Sequence, residues 1–444
     1  MKSIDSPEEI LNVKNGSKSS ANFLGKIIIS IYFLSVSYSQ WYFAGIEEGT
    51  LKSIVPKNLT SILVISLLFF LFNFIDRIMN LHKREKVKMD SLSIACIAFL
   101  FSTFCSIAVG VWKSGLNFDS LEGIKSMAAS LCGLCLVRYF SQDLIFYLRV
   151  YSYIFGTVVL FSVFQFASGV DWQTENSFFT VGAQSRWWDL YSAWGPFALS
   201  GKNVFGVVLV ISFSLLCPVL LFTSYFSTLD RILTSGFLLI TCYLILASRS
   251  RTSIILLSAN VIIILLFYST VKKNWIPLLL LGISSPLLMS LFLSRNTSWV
   301  LNLQSSVARS NSLSAAVLAP ESNYFFGTGY NSIFKLTAST FGNSLSQAGD
   351  SGINVDNYFL RRLLEGGLLG LLSFLGVIFV LGTLTVRRNS LPLRAQTWST
   401  VSLLLFIDII FASATGDFLS FQIVNCYFFV VIAFVSGGLR GARK

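Results

Sequence analysis

The stretch RTSIILLSANVIIILLF, residues 251–267, decides the fold class, because it is an apolar run broken only by small polar residues after its first arginine. A second run, SILVISLLFFLFNFI at residues 61–75, has the same character. Membrane-spanning helices need roughly 20 mostly apolar residues, whereas strands of membrane β-barrels show alternating segments of roughly 10 residues. Both runs therefore predict membrane-spanning α-helices.

The composition of the whole chain agrees with this prediction. Of the 444 residues, 54% are hydrophobic and 12% are charged, and the mean hydropathy is +0.70. Soluble proteins carry about 25% charged residues, so this chain has too few to cover a water-exposed surface. The composition excludes a soluble multidomain enzyme, a disordered chain, a coiled coil and a small disulfide scaffold.

Twelve apolar segments predict an all-α polytopic membrane protein with one transmembrane domain over residues 27–438. The predicted spans lie near residues 27–45, 59–75, 91–112, 123–140, 150–168, 203–222, 232–248, 252–270, 275–293, 358–385, 397–415 and 421–438. Lysine and arginine concentrate in cytoplasmic segments of membrane proteins. With both termini inside, 20 of the 33 lysines and arginines are cytoplasmic and 10 are external. The N-terminal tail 1–26 and the basic C-terminus 439–444 are then cytoplasmic.

Several kinds of chemistry are excluded by missing residues. The one histidine, His82, lies in a predicted cytoplasmic loop, so an external Ser-His-Asp triad and a histidine-ligated metal site are both ruled out. No GxxxxGK[ST] phosphate loop and no dinucleotide fingerprint in a strand–helix context is present. We expect no cofactor and no metal, and a reaction driven by a gradient or by an activated substrate.

Two predicted external loops are long, residues 169–202 and 294–357, and long loops in a compact protein are usually functional. The first contains Arg186, Trp187 and Trp188. Its tryptophans are typical of an aromatic surface for sugar rings or an interfacial lid. An amphipathic helix lying on the membrane is an equally good interpretation.

The segment Ser248-Arg249-Ser250-Arg251 joins spans seven and eight with almost no loop. A guanidinium near the hydrocarbon costs roughly 2.5–3.5 kcal/mol on the insertion scale, so a compensating partner is expected. The planar fork of arginine suits phosphate oxygens. A ligand role for at least one of these arginines is favoured over simple snorkelling to the membrane surface.

A second polar segment, DNYFLRRLLEGGLLG at residues 356–370, follows the long external loop. Glu365 lies four residues after Arg361 and three after Arg362, so pairing along one helix explains these charges. Gly366 and Gly370 form a GxxxG, which allows close helix packing.

Other charged residues stand apart from these two segments. Arg295 and Arg309 add external positive charge. Asp408 lies within the eleventh span and should face a polar interior, where Lys125 is a candidate partner.

The chain resembles the O-antigen ligase and polymerase family over roughly residues 150–440. The shared features are twelve spans, the Ser-Arg turn at Ser248–Arg251, the Gly201-Lys202-Asn203 opening of span six and a large external loop before span ten. That loop ends in a family signature of His-Asn, nine residues and Gly-x-x-Gly. Here the signature reads Asp356-Asn357, nine residues, Gly367-Leu-Leu-Gly370.

The resemblance implies a membrane glycosyltransferase that uses a glycan on undecaprenyl diphosphate, at the external face of the bacterial cytoplasmic membrane. The histidine of lipid A–core ligases is replaced by Asp356, which favours a Wzy-type polysaccharide polymerase. Its donor and acceptor would both be lipid-linked repeat units in the bilayer. A flippase and a chain-length regulator would be partners, and nucleic acid would not.

Roles for individual residues follow from this chemistry. Departure of a diphosphate develops negative charge, which preorganised arginines stabilise. We assign this role to Arg249 and Arg251, and general-base or orienting chemistry to Asp356. Further substrate contacts are assigned to Arg309, Arg295, Asn357, Tyr358, Arg186, Trp187 and Trp188. Structural roles are assigned to Gly366, Gly367 and Gly370.

Two alternative functions stay open at this point. One is a ligase that transfers the glycan to another acceptor. The other is a secondary transporter or flippase, which would also have many spans and a few buried charges. Transporters usually show paired broken spans in two related halves, and no such repeat is evident in this sequence.

Overall fold

The computed structural model describes residues 20–38, 90–114, 118–168, 201–248, 250–276, 325–329, 357–386, 392–416, 419 and 422–442. These ranges contain nine α-helices and no β-strand. The helices are α1 (Ser20–Tyr38), α2 (Ser91–Ser114), α3 (Phe118–Ser168), α4 (Gly201–Phe222), α5 (Thr228–Ala247), α6 (Arg251–Lys272), α7 (Tyr358–Val386), α8 (Leu393–Thr415) and α9 (Gln422–Ala442).

Eight of the described segments are long and apolar enough to cross a membrane. The chain is therefore a multi-pass α-helical membrane protein, as the sequence predicts. Ten of the twelve predicted spans fall on described helices. The span 59–75 lies outside the described residues, and so does nearly all of 275–293. A count of twelve thus remains a prediction.

Predicted spans four and five both lie on α3, which consists of two helical segments that meet at Asp143. The backbone of Asp143 (φ −140°, ψ 58°) is not helical. Phe140 before this point and Tyr151 after it both pack against Phe434 of α9, with ring centroids 4.0 and 5.5 Å away. In one continuous helix these two residues would be about 16 Å apart along the axis, so the chain turns sharply at Asp143. The Asp143 carboxylate accepts a hydrogen bond from Lys26, which ties this turn to α1.

Ion pairs gather at the end of the bundle that the charge pattern predicts to be cytoplasmic. Arg440, near the end of α9, lies 3.5 Å from Asp90, which immediately precedes α2. Arg149 of α3 lies 3.0 Å from Asp230, in the first turn of α5. The first pair ties the end of α9 to the start of α2, and the second ties α3 to the start of α5.

Among the eight described spans, α9 is the most buried, and it packs along α3 and also contacts α4 and α8. Phe434 of α9 stacks on Phe140 of α3 with ring centroids 4.0 Å apart. Gly438 leaves room for the buried Trp398 of α8, because a Cβ at this glycine would lie 2.1 Å from the indole. Aromatic packing against small residues thus holds the centre of the bundle together.

Asp408 is buried where α4, α6 and α8 meet. Ser214 donates a hydrogen bond to its Oδ2 at 2.6 Å, and Asn260 donates to its Oδ1 at 2.8 Å. The prediction that this residue faces a polar interior is confirmed. Its two oxygens are satisfied by neutral donors, so the expected partner Lys125, whose side chain lies outside the described residues, is not required.

Candidate functional site

The turn between α5 and α6 is as short as the sequence predicts. Ser248 ends α5, and Ser250 caps α6 by accepting a hydrogen bond from the Ser253 backbone N–H at 3.4 Å. The Ser253 hydroxyl donates to the Ser250 oxygen at 2.9 Å. All three serines are buried. Their mutual hydrogen bonds hold the turn in one conformation and place Arg251, which is partly exposed, in the first turn of α6.

A glycine of α4 brings that helix against the serine turn. A Cβ at Gly206 would lie 2.4 Å from the Ser253 hydroxyl and 3.1 Å from the Ser248 hydroxyl. Any larger side chain would push α4 away from the turn. The sequence gives no signal for this role, since Gly206 is an isolated glycine in an apolar span.

The C-terminal turn of α8 joins the two predicted site segments. The hydroxyl oxygens of Thr415 and Thr252, beside Arg251, lie 3.2 Å apart. Asn357 donates from Nδ2 to the Ala414 carbonyl at 3.4 Å. The start of α6 and the start of α7 therefore lie on either side of one helix end, although about a hundred residues separate them in sequence.

Asn357 also caps α7. Its side-chain Oδ1 accepts a hydrogen bond from the Leu360 backbone N–H at 3.1 Å, which satisfies one of the unpaired donors at the helix start. The next residue, Tyr358, is buried, and its ring packs edge-on against Phe374 at 5.0 Å between centroids. Asn357 thus fixes where the helix begins, and Tyr358 anchors it in the core.

Part of the long loop that is predicted to be external docks onto a break in α7. At Gly367 the backbone (φ 61°, ψ −160°) leaves the helical conformation. Thr328 and Gly329 donate backbone hydrogen bonds to the carbonyls of Leu364 and Glu365, at 2.8 and 3.0 Å. These bonds satisfy carbonyl groups that a helix break would otherwise leave unpaired.

The glycines in this region allow the loop to approach the helix. A Cβ at Gly329 would lie 2.6 Å from the Cα of Gly110 in α2, so the loop also passes directly over that helix. A Cβ at Gly366 would meet nothing within 4 Å, and one at Gly370 would lie 2.9 Å from the Arg362 carbonyl in α7 itself. The sequence predicts that these glycines allow two helices to pack closely. In the structure they instead leave room for the docked loop and for the break in α7.

The two arginines of α7 have different partners. Arg361 pairs with Glu365, with Nε 3.0 Å from Oε1, so the predicted pairing along the helix is confirmed for this residue. Arg362 turns toward α2, where its Nη2 donates to the Thr103 hydroxyl at 2.5 Å. Its guanidinium lies 4.6 Å from the centre of the Phe99 ring. Thr103 and Phe99 lie in a span without a recognisable motif, so the sequence does not predict their contacts with Arg362.

Both arginines line a narrow cleft between α2, α7 and the start of α9. Tyr358 and Glu365 line it together with the arginines, and its other walls include Thr103 and several apolar side chains of α2 and α3. Arg361 and Arg362 are buried, with 7% and 2% of their surfaces exposed. The cleft therefore contains a paired arginine and carboxylate, Arg361 and Glu365, and a second buried guanidinium, that of Arg362, which suits the binding of an oxyanion.

The remaining predicted site residues lie outside the described part of the chain. The predicted catalytic and substrate-binding residues among them are Arg249, Asp356, Arg309, Arg295, Arg186, Trp187 and Trp188. Their assigned roles therefore remain predictions. Within the described ranges, no three His, Cys, Asp or Glu side chains group as metal ligands would.

Comparison with known proteins identifies one family. Residues 236–375 match the family described as O-antigen ligase. The match begins in α5, contains the serine turn and the docked loop, and ends in α7 beyond its glycine break. Comparison with curated proteins finds no match. The region that carries both predicted site segments, residues 236–375, therefore belongs to the O-antigen ligase family, as the sequence resemblance implies.

Proposed function

We propose that this protein is a polymerase that joins undecaprenyl-diphosphate-linked oligosaccharide repeat units into O-antigen or a related surface polysaccharide. The reaction takes place at the external face of the bacterial cytoplasmic membrane. A flippase delivers the lipid-linked units to that face, and a chain-length regulator sets the extent of polymerisation. The family match over residues 236–375 supports the general class of reaction.

One observation carries the proposal. The start of α6, with Arg251, and the start of α7, with Asn357, both contact the last turn of α8. The N-terminus of α6 adds the positive end of a helix dipole to the charge of Arg251. An anionic group bound there would lie beside the residue that follows Asp356. Stabilisation of the donor's leaving group and proton abstraction from the acceptor's hydroxyl can therefore act at one reaction centre.

The proposed reaction is a single displacement. A hydroxyl oxygen of the acceptor sugar attacks the anomeric carbon of the donor glycan, and the bond from this carbon to the diphosphate oxygen breaks. Undecaprenyl diphosphate leaves with the bonding electron pair. Asp356 takes the proton from the attacking hydroxyl. Arg249 and Arg251 stabilise the negative charge that develops on the diphosphate, and no metal or nucleotide takes part.

The test is reconstitution of the purified protein with the lipid-linked repeat unit of its own source. A polymerase converts the unit into a ladder of products that differ by one repeat. A parallel reaction contains lipid A–core as a competing acceptor. Transfer to lipid A–core without a ladder would identify a ligase, and the absence of both products would reject a glycosyltransferase.

Matched variants connect the activity to the site. Arg249→Ala should abolish the ladder while the protein remains in the membrane. Asp356→Asn should abolish it if this carboxylate takes the proton, and an unchanged ladder would exclude that role. The control is Arg394→Ala, since Arg394 is an exposed arginine at the opposite end of α8 from Thr415.

A further inference from the structure

Arg362 is a buried cation with no counterion among the described residues. Only 2% of its surface is exposed. Among the residues that the structure describes, no carboxylate lies within ion-pairing distance, and its hydrogen-bond acceptor is the Thr103 hydroxyl. Its Nε–H is buried and has no acceptor there. A guanidinium offers five N–H donors, so groups in the described part of the chain use only a fraction of its hydrogen-bonding capacity.

The neighbouring groups do not compensate for this charge. Glu365 is the nearest acidic residue along α7, and it is paired with Arg361. The rings of Phe99 and Tyr358 lie 4.6 and 5.8 Å from the guanidinium carbon, which gives cation–π attraction but no acceptor for the N–H groups. A buried charge without a partner is strongly unfavourable, most of all within a membrane domain. An anionic ligand would remove this cost.

We propose that Arg362 binds the diphosphate of a second lipid-linked substrate, the acceptor in the proposed polymerisation. This inference rests on the proposed function, because that reaction needs two lipid-linked molecules at once. The planar fork of arginine suits phosphate oxygens and can make two parallel hydrogen bonds to them. Phe99, Leu100, Met127 and Leu419 give the same cleft apolar walls, which suit the first part of a lipid chain better than a sugar.

The position of Arg362 suits two substrates that react with each other. It lies five residues after Asn357, so about 7.5 Å along the α7 axis separates them. Asn357 faces the end of α8, whereas Arg362 faces α2. The donor site at the start of α6 and the acceptor site at Arg362 therefore use different sides of one short stretch of α7. This separation keeps the two diphosphates apart.

Because the cleft is narrow in the structure, its walls must move before a phosphate group can enter it. Met127 is unbranched and has several rotatable bonds, so it can change its rotamer at low cost. The ion pair between Arg361 and Glu365 closes one side of the cleft and keeps the carboxylate from neutralising Arg362. Arg362 is thus the described cation of this cleft that an entering oxyanion can pair with.

Native mass spectrometry of the purified full-length protein with undecaprenyl diphosphate tests this inference, because it counts bound lipids. We expect two specifically bound lipids on the wild type, one on Arg362→Gln, one on Arg251→Ala and none on the double variant. The exposed-arginine control Arg394→Gln should bind two. If Arg362→Gln does not fold, Arg362→Lys keeps the charge but loses the fork, and its second lipid should bind at least about tenfold more weakly.

Competition identifies the group that Arg362 recognises. Inorganic pyrophosphate should displace the lipid that depends on Arg362, and glucuronate should not. Displacement by glucuronate alone would indicate a site for sugar carboxylates and overturn the assignment to a diphosphate. Two lipids bound to Arg362→Gln with unchanged affinity would overturn the site itself. Two lipids on the wild type without any product ladder would reject the proposed polymerase but retain this site.

Discussion

Gly327 and Gly367 approach each other so closely that a Cβ on either one would lie 2.5 Å from the backbone nitrogen of the other. Gly327 belongs to the long loop that precedes α7, and Gly367 is the point at which α7 breaks. Both have positive φ, at 75° and 61°. This contact joins the loop to the helix that carries Asn357, Arg361 and Arg362, so the site depends on two glycines in different segments.

Gly367→Ala should therefore destabilise the docked loop and abolish activity. Backbone strain at a positive φ with an extended ψ costs about 1–3 kcal/mol for a residue with a Cβ, and the clash with the loop adds to it. Gly366→Ala is the matched control, because a Cβ there meets nothing within 4 Å. Thermal unfolding in detergent and ladder formation measure the two effects. Equal stability of the two variants would refute this role of Gly367.

The helix break itself could not be predicted from the sequence. Glycines 366 and 370 have the spacing of a helix-packing motif, and this motif says nothing about a loop that arrives from 40 residues upstream. Spans were easier to predict, because twenty apolar residues are a strong local signal. The sequence also predicts two spans on either side of Asp143, and the structure has a break between two helical segments there.

Arg251→Ala should slow polymerisation by about 10²–10³-fold, the usual effect of removing one donor that stabilises developing charge. Arg251→Lys should be intermediate, because lysine keeps the charge but not the planar fork. Initial rates of ladder formation at saturating lipid-linked substrate measure this effect. A rate for Arg251→Ala equal to that of Arg394→Ala would exclude Arg251 from catalysis.

The pairing of Arg361 with Glu365 was predictable, because residues four apart on a helix are neighbours. The different environment of Arg362 was not. Its partners Thr103 and Phe99 lie more than 250 residues away in sequence, on a span that contains only apolar and small residues. Tertiary packing alone decides which of two adjacent arginines pairs with the carboxylate and which faces a cleft.

Asp408→Leu should destabilise the bundle by about 1–3 kcal/mol, because the side chains of Asn260 and Ser214 would lose their buried acceptor. Asp408→Asn is the milder control, since its amide keeps one acceptor oxygen. The double variant Asp408→Leu/Asn260→Leu should recover part of the loss, because it removes an unsatisfied donor. Denaturant unfolding of the wild type, these three variants and the single variant Asn260→Leu measures these changes. Strict additivity of the two single changes would contradict a direct interaction.

Asp90→Asn should lower stability at pH 7 and have little effect in acid. Burial tends to raise the pKa of Asp90, but hydrogen bonds from Ser436 and Ser93 and the charge of Arg440 outweigh it, so the pKa lies below its ordinary value.

Because the pKa of Asp90 is lower in the folded state than in the unfolded state, its charge stabilises the fold above the unfolded-state pKa of about 3.9. This stabilisation is lost as the pH falls through the folded-state pKa. Asparagine keeps an oxygen that can accept from the Ser93 backbone N–H, as Oδ1 of Asp90 does at 3.0 Å, so the substitution mainly removes charge. Melting temperatures of wild type and variant between pH 7 and pH values below about 3.9 measure the effect. The difference should shrink as the pH falls, and a difference that stays constant would mean that the charge of Asp90 does not stabilise this end of the bundle.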